Sequence, residues 1–375
     1  MLRALSFGLF ILFATAVQAF AACTLPYTLA NGQTADASQV MANFTAINNC
    51  LSAGANFTGG YLNKFRNGTM DVWQRGTSGT ATTTVSPSTQ TAADGWYVMP
   101  AGGNVPWSQA SGRGPTLYSL KVNGGATIGD IAIKQRIESF VAAPLEGQTV
   151  TVQAEIYNNT GATITPALTV KHAGAADAWT SSTTDVNAVS LQPCPNGSWT
   201  QVAYTFTASS SSGNGLEITF DFGNNFSLTS SSVQISEADV RSTPGATVGL
   251  NNTPPAPELR PISVELPFCQ RYFEISTGLP GYPTPNSGSS ANTWSPSTVW
   301  TFAVQMRASP TITISGWRTP ATPQWQDYVG VSGSNLRVWN SGDATKEVTI
   351  DNNAINVTWT NGAQPFVNAT ASAEL

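Results

Sequence analysis

Thr149-Val150-Thr151-Val152-Gln153-Ala154-Glu155-Ile156-Tyr157 is the stretch on which the fold class turns. Val150, Val152, Ala154 and Ile156 alternate with Thr151, Gln153, Glu155 and Tyr157. A period of two belongs to a strand with one face in a core and the other toward water. The same alternation recurs on both sides of it. Ile131, Ile133 and Ile137 alternate with Ala132, Lys134 and Arg136; Val202, Tyr204 and Phe206 alternate with Gln201, Ala203 and Thr205. Leu216, Ile218, Phe220 and Phe222 alternate with Glu217, Thr219 and Asp221, and Val233 and Ile235 continue the pattern. Gly, Asn and Ser bound these segments, and 209–215 reads as a loop between two of them. Residues 59–245 are therefore expected to form an antiparallel β-sandwich.

Outside that block the organisation changes. Residues 1–21 carry Arg3, an apolar run from Leu5 to Val17 and a small-x-small ending at Ala19-Phe20-Ala21. That run is shorter than the ~20 residues of a membrane span, so it reads as a secretory signal. A lipoprotein acylated at Cys23 is the rival reading. In segment 22–58, Thr34 is the expected N-cap of a helix whose Val40, Phe44, Ile47 and Leu51 make a narrow apolar stripe. The stripe packs on its own domain or against copies of itself. Residues 246–298 form a Pro/Gly-rich linker interrupted by one short helix or strand at 264–273, and 299–375 are again strand-like, a smaller C-terminal β domain.

Composition limits the function. Only 10% of the 375 residues are charged, against a usual share of about 25%, and the net charge is −5 with one His. A His-rich metal cage is excluded, and no basic footprint for nucleic acid exists. No later segment is long and apolar enough for a transmembrane helix. Cys23, Cys50, Cys194 and Cys269 contain no C-x-x-C pair, so zinc and thioredoxin-like sites fall away. Export favours disulfides, with Cys23–Cys50 the candidate pair.

Catalytic signatures are absent. No serine sits in a G-x-S-x-G elbow, and Gly59-Gly60 and Gly102-Gly103 lack the Lys-Ser/Thr of a phosphate loop. His172, at a strand end before a Gly-rich loop, has no acid or nucleophile placed beside it by spacing. A glycosidase needs only two carboxylates, for which Glu138, Glu155, Glu217, Asp221, Glu237 and Asp239 are available; Glu155 with Asp221 is the pair a hydrolase reading selects. Binding suits the composition better. Sugars present apolar ring faces and many hydroxyls, which aromatic side chains and uncharged polar groups recognise. Trp294, Trp317 and Trp325 fall among Gly, Pro, Ser and Gln in expected loops, with Tyr282 and Tyr328 near them in sequence. Gln153, Glu155 and Tyr157 form a second candidate row on the sandwich face.

Four stretches, in order, resemble bacteriophage tail-fibre and related receptor-binding proteins. They are Asn31-Gly32-Gln33-Thr34-Ala35-Asp36 running on to Phe44; Asn67-Gly68-Thr69-Met70-Asp71-Val72-Trp73-Gln74-Arg75 with Asp94-Gly95-Trp96; Glu258-Leu259-Arg260-Pro261 with Glu265-Leu266-Pro267-Phe268-Cys269-Gln270-Arg271-Tyr272-Phe273; and Met306-Arg307-Ala308-Ser309-Pro310 with Ala373-Glu374-Leu375. The resemblance implies a middle domain similar to a carbohydrate-binding-module jelly roll and a distal β domain facing a receptor. It implies a homotrimer and does not imply an enzyme; a cell-surface glycan is the expected partner. No cofactor is expected; jelly rolls of this kind often hold one structural calcium, for which Asp71, Glu237 or Asp239 are oxygen donors. The signal segment departs from it, because virion proteins assemble in the cytoplasm; export and a virion location are both open. A structural fibre or envelope component without a small ligand, or a polysaccharide hydrolase, are the alternatives.

Overall fold

The computed structural model describes residues 26–27, 36–55, 61–83, 92–280, 282–285, 293–321, 324–327, 336–339, 343–352, 357–358 and 366–375. The signal segment, Cys23, Thr34 and Tyr328 lie outside them. The chain divides into two compact units, Met1–Tyr61 and Leu62–Leu375.

The first unit contains helix α1 (Ala37–Ala55). The Asp36 carboxylate accepts from the Ser38 amide at 2.8 Å and from its hydroxyl at 2.6 Å, which satisfies a helix-start N–H. Asn43 is buried and bonds Tyr27 twice, accepting from its amide and donating to its carbonyl. Met41 and Phe44 are exposed.

The second unit is built on an antiparallel jelly-roll sandwich. Its strands are β1 (Ser78–Ala81), β2 (Tyr97–Ala101), β3 (Val105–Ser111), β4 (Tyr118–Asn123), β5 (Asp130–Ile137), β6 (Thr149–Asn159), β7 (Ala167–Ala175), β8 (Ala178–Ser190), β9 (Ser198–Thr207), β10 (Leu216–Asp221), β11 (Ser232–Ser242) and β12 (Gly249–Leu250). A seven-stranded sheet runs β1-β3-β4-β11-β6-β9-β12, and a five-stranded sheet runs β2-β5-β10-β7-β8. In β5 the alternation seen in sequence is the burial pattern, whereas in β6 Thr151, Gln153 and Glu155 are buried as well. Ile131, Ile133 and Ile137 of β5 are buried, and the residues between Asp130 and Arg136 that alternate with them are partly exposed. Val150, Val152, Ala154 and Ile156 of β6 meet Val202 and Phe206, Leu216, Ile218 and Phe220, and Val233 and Ile235 in one core. Trp96 is fully buried within it, and Trp73 packs on its edge.

Residues 264–273 resolve into helix α2 (Ile262–Gln270) followed directly by a strand. The remaining strands are β13 (Phe273–Pro280), β14 (Tyr282–Pro285), β15 (Thr293–Thr301), β16 (Thr311–Ala321), β17 (Gln324–Asp327), β18 (Leu336–Trp339), β19 (Glu347–Asn352), β20 (Val357–Thr358) and β21 (Phe366–Ser372). They form a four-stranded sheet, β13-β21-β16-β17, and a sheet running β14-β15-β19-β18, with β20 beside β15. Trp300, Phe302, Met306, Val348 and Ile350 centre their small core.

A polar junction ties these sheets to the sandwich. Glu374 accepts from Arg66 at 2.8 Å, from Arg75 at 2.9 Å and from the Tyr97 hydroxyl at 3.2 Å. Arg66 stacks on Tyr272 and Arg75 on Phe273, 3.8 and 3.5 Å from the ring centres. Glu265 of α2 pairs with Arg260 at 2.6 Å and accepts from the Asn67 amide. Arg307 donates to the Ala373 carbonyl at 3.0 Å. Arg66, Arg260, Glu265 and the Glu374 side chain are all buried. The stretches around Asn67, Asp94, Arg260, Glu265, Arg271, Arg307 and Glu374, far apart in sequence, thus close on one another. Buried charges persist only when paired and hydrogen-bonded, as these are.

Candidate functional site

The outer face of the seven-stranded sheet carries the candidate site. The β6 alternation that buries Val152, Ala154 and Ile156 sends Thr151, Gln153, Glu155 and Tyr157 outward. Register then decides their neighbours. Tyr157 lies opposite Trp199 of β9 and Gln234 of β11, and Gln234 lies opposite Lys121 of β4. The next row is Ser236, Glu155 and Gln201.

The Tyr157 and Trp199 rings are 5.5 Å apart between centroids and tilted by 52°. Both side chains are partly exposed, as are Gln234 and Lys121, and Gln201 is exposed. Two adjacent aromatic faces flanked by amides and an ammonium make a platform able to stack on an apolar ring and hydrogen-bond its substituents.

The linker covers the other end of the face. Gln153 donates to the Pro255 carbonyl at 2.8 Å and accepts from Gln201 at 3.1 Å. Arg241 donates to the Ala256 carbonyl, and the Glu258 amide donates to Asp239. Segment 246–262 is therefore pinned along the sheet, and Gln153, expected as a binding residue, is a buried anchor for it. Its neighbour Glu155 marks the border between the covered and open ends.

Glu155, expected on the sandwich face as a binding residue, is buried. It is paired with Arg113, whose Nη1 is also 3.9 Å from Glu237. Glu237 sits in the β11 bulge, where the register slips between Ser236 and Asp239, with φ +49°. Bulges re-aim side chains. This one is held from behind: the Ala238 amide donates to the Gly68 carbonyl, and a Cβ on Gly68 would come within 2.2 Å of the Ala238 oxygen. The Asn67-Gly68 turn thus fixes the backbone that presents Glu237. Burial raises both carboxyl pKa values; Arg113 opposes the rise in each, and the Glu237 carboxylate adds to it at Glu155.

Other expected residues are placed differently. Trp294, Trp317, Trp325 and Tyr282 were expected in loops and stand on β15, β16, β17 and β14. Pro285 ends the edge strand β14 and Pro320 lies next to the end of β16, places where a missing ladder donor is tolerated. Trp317 and Trp325 belong to the four-stranded sheet, and Trp294 and Tyr282 to the neighbouring one. Cys50 falls within α1. Cys194 and Cys269 are buried free thiols.

His172 is buried within β7 instead of at a surface loop, its Nδ1 2.8 and 3.0 Å from the two Asp185 oxygens. Glu155 and Asp221, the pair a hydrolase reading selects, lie on different sheets, each on the outer face, so both layers of the sandwich separate them. Asp71 accepts from the Leu117 and Tyr118 amides, and Asp239 pairs with Arg241. Among the described residues, no group of three or more His, Cys, Asp or Glu side chains could hold a metal, and no helix is long and apolar enough to cross a membrane.

Arg113, Trp199, Gln201 and Gln234 were not singled out from sequence. Trp199 carried one usable signal, since it is in phase with Gln201 and Ala203 and out of phase with the core residue Val202. Which strand neighbours β6 is set by long-range pairing, and no local pattern encodes it.

No protein-family model matches the chain, and a search of curated proteins finds no match. Solved structures overlap it in part. The Clostridium thermocellum xylanase 10B CBM22-1–GH10 modules complexed with xylohexaose share 12% identity over 49% of this chain, at a TM-score of 0.32; the overlap spans only 29% of that chain. The CBM22-1 xylan-binding domain from Paenibacillus barcinonensis Xyn10C shares 14% identity over 44% of this chain and 94% of its own, at a TM-score of 0.29. The enzymatically active domain of bacteriophage CBA120 tailspike protein 4 shares 12% identity over 49% of this chain and 22% of its own, at a TM-score of 0.30.

Proposed function

We propose that this chain is a non-catalytic carbohydrate-binding protein whose saccharide lies on the outer face of the seven-stranded sheet. The observation that carries the reading is the Tyr157–Trp199 pair, partly exposed and set beside Gln201, Gln234 and Glu155. A sugar ring stacks on one aromatic face while its hydroxyls bond to the amides and the carboxylate. The recognition involves no covalent step. The partner is a cell-surface glycan, met outside the cell by an exported chain or by a tail-fibre-like virion protein; the resemblance of the stretches around Asn67 and Glu265 supports that role. Trp294, Trp317 and Trp325 supply further contacts in the C-terminal sheets. The apolar stripe of α1, with Phe44 exposed, supports association into a homotrimer.

Binding of the full chain to a microbial glycan array tests the reading, with Tyr157→Ala and Trp199→Ala as the decisive variants. Each is expected to lose at least about tenfold in affinity for whatever the parent selects, about 1.4 kcal/mol. Selective binding that survives both substitutions moves the site elsewhere; a folded parent that binds no glycan removes the function.

A further inference from the structure

Glu155 and Glu237 both stand against Arg113 beside the aromatic platform. Glu155 is 5% exposed and Glu237 6%. Oε2 of Glu155 and Oε1 of Glu237 are enclosed and have no hydrogen-bond partner among the described residues. An enclosed carboxylate oxygen without a donor costs free energy until one reaches it. Arg113 serves both carboxylates through one nitrogen, tightly at Glu155 but at 3.9 Å from Glu237, beyond hydrogen-bond reach. Two carboxylates against one guanidinium leave one negative charge in excess. Arg113 is also the exposed member of the group, at 45% for its side chain. It stands between Gly112 and Gly114 on the β3–β4 connection, and nothing approaches within 4 Å of a Cβ built on Gly114.

We propose that this carboxylate pair sets the specificity of the face by taking the ammonium group of a saccharide with a free amine, a hexosamine without its N-acetyl group. The inference rests on the carbohydrate-binding reading above. The ligand's sugar ring lies against Tyr157 or Trp199, and Arg113 swings aside to admit its ammonium to Glu237. The choice follows from charge and donor count. An ammonium carries three donors and one positive charge, which match two orphan acceptors and one unbalanced carboxylate. A hydroxyl offers one donor and no charge. An N-acetyl amide adds a carbonyl that would face carboxylates, and a uronic acid adds a second like charge. Lys121 lies in the Tyr157 row on the far side of Gln234. Burial raises both carboxyl pKa values, and Arg113 opposes the rise in each.

Calorimetric titration of the full chain with glucosamine oligomers and with their N-acetylated counterparts of equal length tests the proposal. The free-amine oligomer is expected to bind at least about tenfold more tightly. Glu237→Gln is expected to erase that preference while keeping the parent's circular dichroism and melting temperature. Arg113→Ala leaves both acids in place and is expected to strengthen binding of the free-amine form alone, which keeps the proposal open to refutation should Glu237→Gln misfold. Equal binding of the two oligomers, or a preference that survives a folded Glu237→Gln, overturns it. Equal binding that is lost in Trp199→Ala refutes the role of the carboxylate pair and leaves the sugar-binding face standing. No binding of either oligomer or of any arrayed glycan refutes both.

Discussion

Replacing Glu374 by Gln keeps the shape of the side chain and deletes the charge at the centre of the junction. Its carboxylate is 2% exposed and accepts from Arg66 at 2.8 Å and Arg75 at 2.9 Å. The Arg66 side chain is itself 6% exposed, so its guanidinium has little water to fall back on. Breaking a buried ion pair by removing one partner costs about 3–5 kcal/mol, because the remaining charge is left uncompensated. The two arginines share one carboxylate, so their losses do not add, and that range holds for the variant as a whole. For a unit of this size a kcal/mol moves the melting temperature by about 2 °C, which gives a fall of roughly 6–10 °C. Differential scanning calorimetry reads the fall directly, and urea titration gives the free energy. Glu146→Gln, at an exposed carboxylate, is the control and should change stability by less than about 0.5 kcal/mol. Tyr157 and Trp199 lie on the other sheet from Tyr97, so saccharide affinity should stay within about twofold. A Glu374→Gln protein that melts within about 2 °C of the parent would refute the assignment of the junction as the tie between sandwich and C-terminal sheets.

Further outcomes follow from other residues. Burial pushes the Asp94 carboxyl up to about 6, with Gln74 and Arg75 opposing the rise and Glu374 adding to it. The folded chain then holds that proton more tightly than the unfolded one, so this contribution to stability is complete below about pH 4 and is lost as pH rises through about 6. The loss is on the order of 3 kcal/mol, and Asp94→Asn should flatten the stability profile across this window; superimposable profiles would count against it. Gly68→Ala forces a Cβ against the Ala238 oxygen, so it should destabilise by about 1–3 kcal/mol and weaken glycan binding through displacement of the bulge. Burial pushes the Cys194 thiol up to about 12 and raises the Cys269 thiol well above its ordinary value. Both should resist iodoacetamide in the native chain and react after denaturation, as peptide mass spectrometry would show.

That the middle of the chain is a sandwich, and which side chains enter its core, is legible in the residues alone. Period-two alternation is a local signal, and Val150, Val152, Ala154 and Ile156 carry it without reference to any distant residue. It likewise determined that Glu155 and Tyr157 lie on the face opposite the core. Tertiary structure decided what that face contains. Pairing of β6 with β9 and β11 put Trp199 and Gln234 beside Tyr157, and a hairpin between β3 and β4 brought Arg113 to Glu155. The linker then covered Gln153, and Glu155 became a buried partner of a cation instead of a solvated surface group. The stretches around Asn67, Asp94, Glu265 and Glu374 were legible as motifs, but their purpose was not. Each holds half of an ion pair or hydrogen bond whose other half lies as many as 308 residues away. Register, bulges and charge pairing are set by contacts between segments, and no window of sequence contains both sides of such a contact.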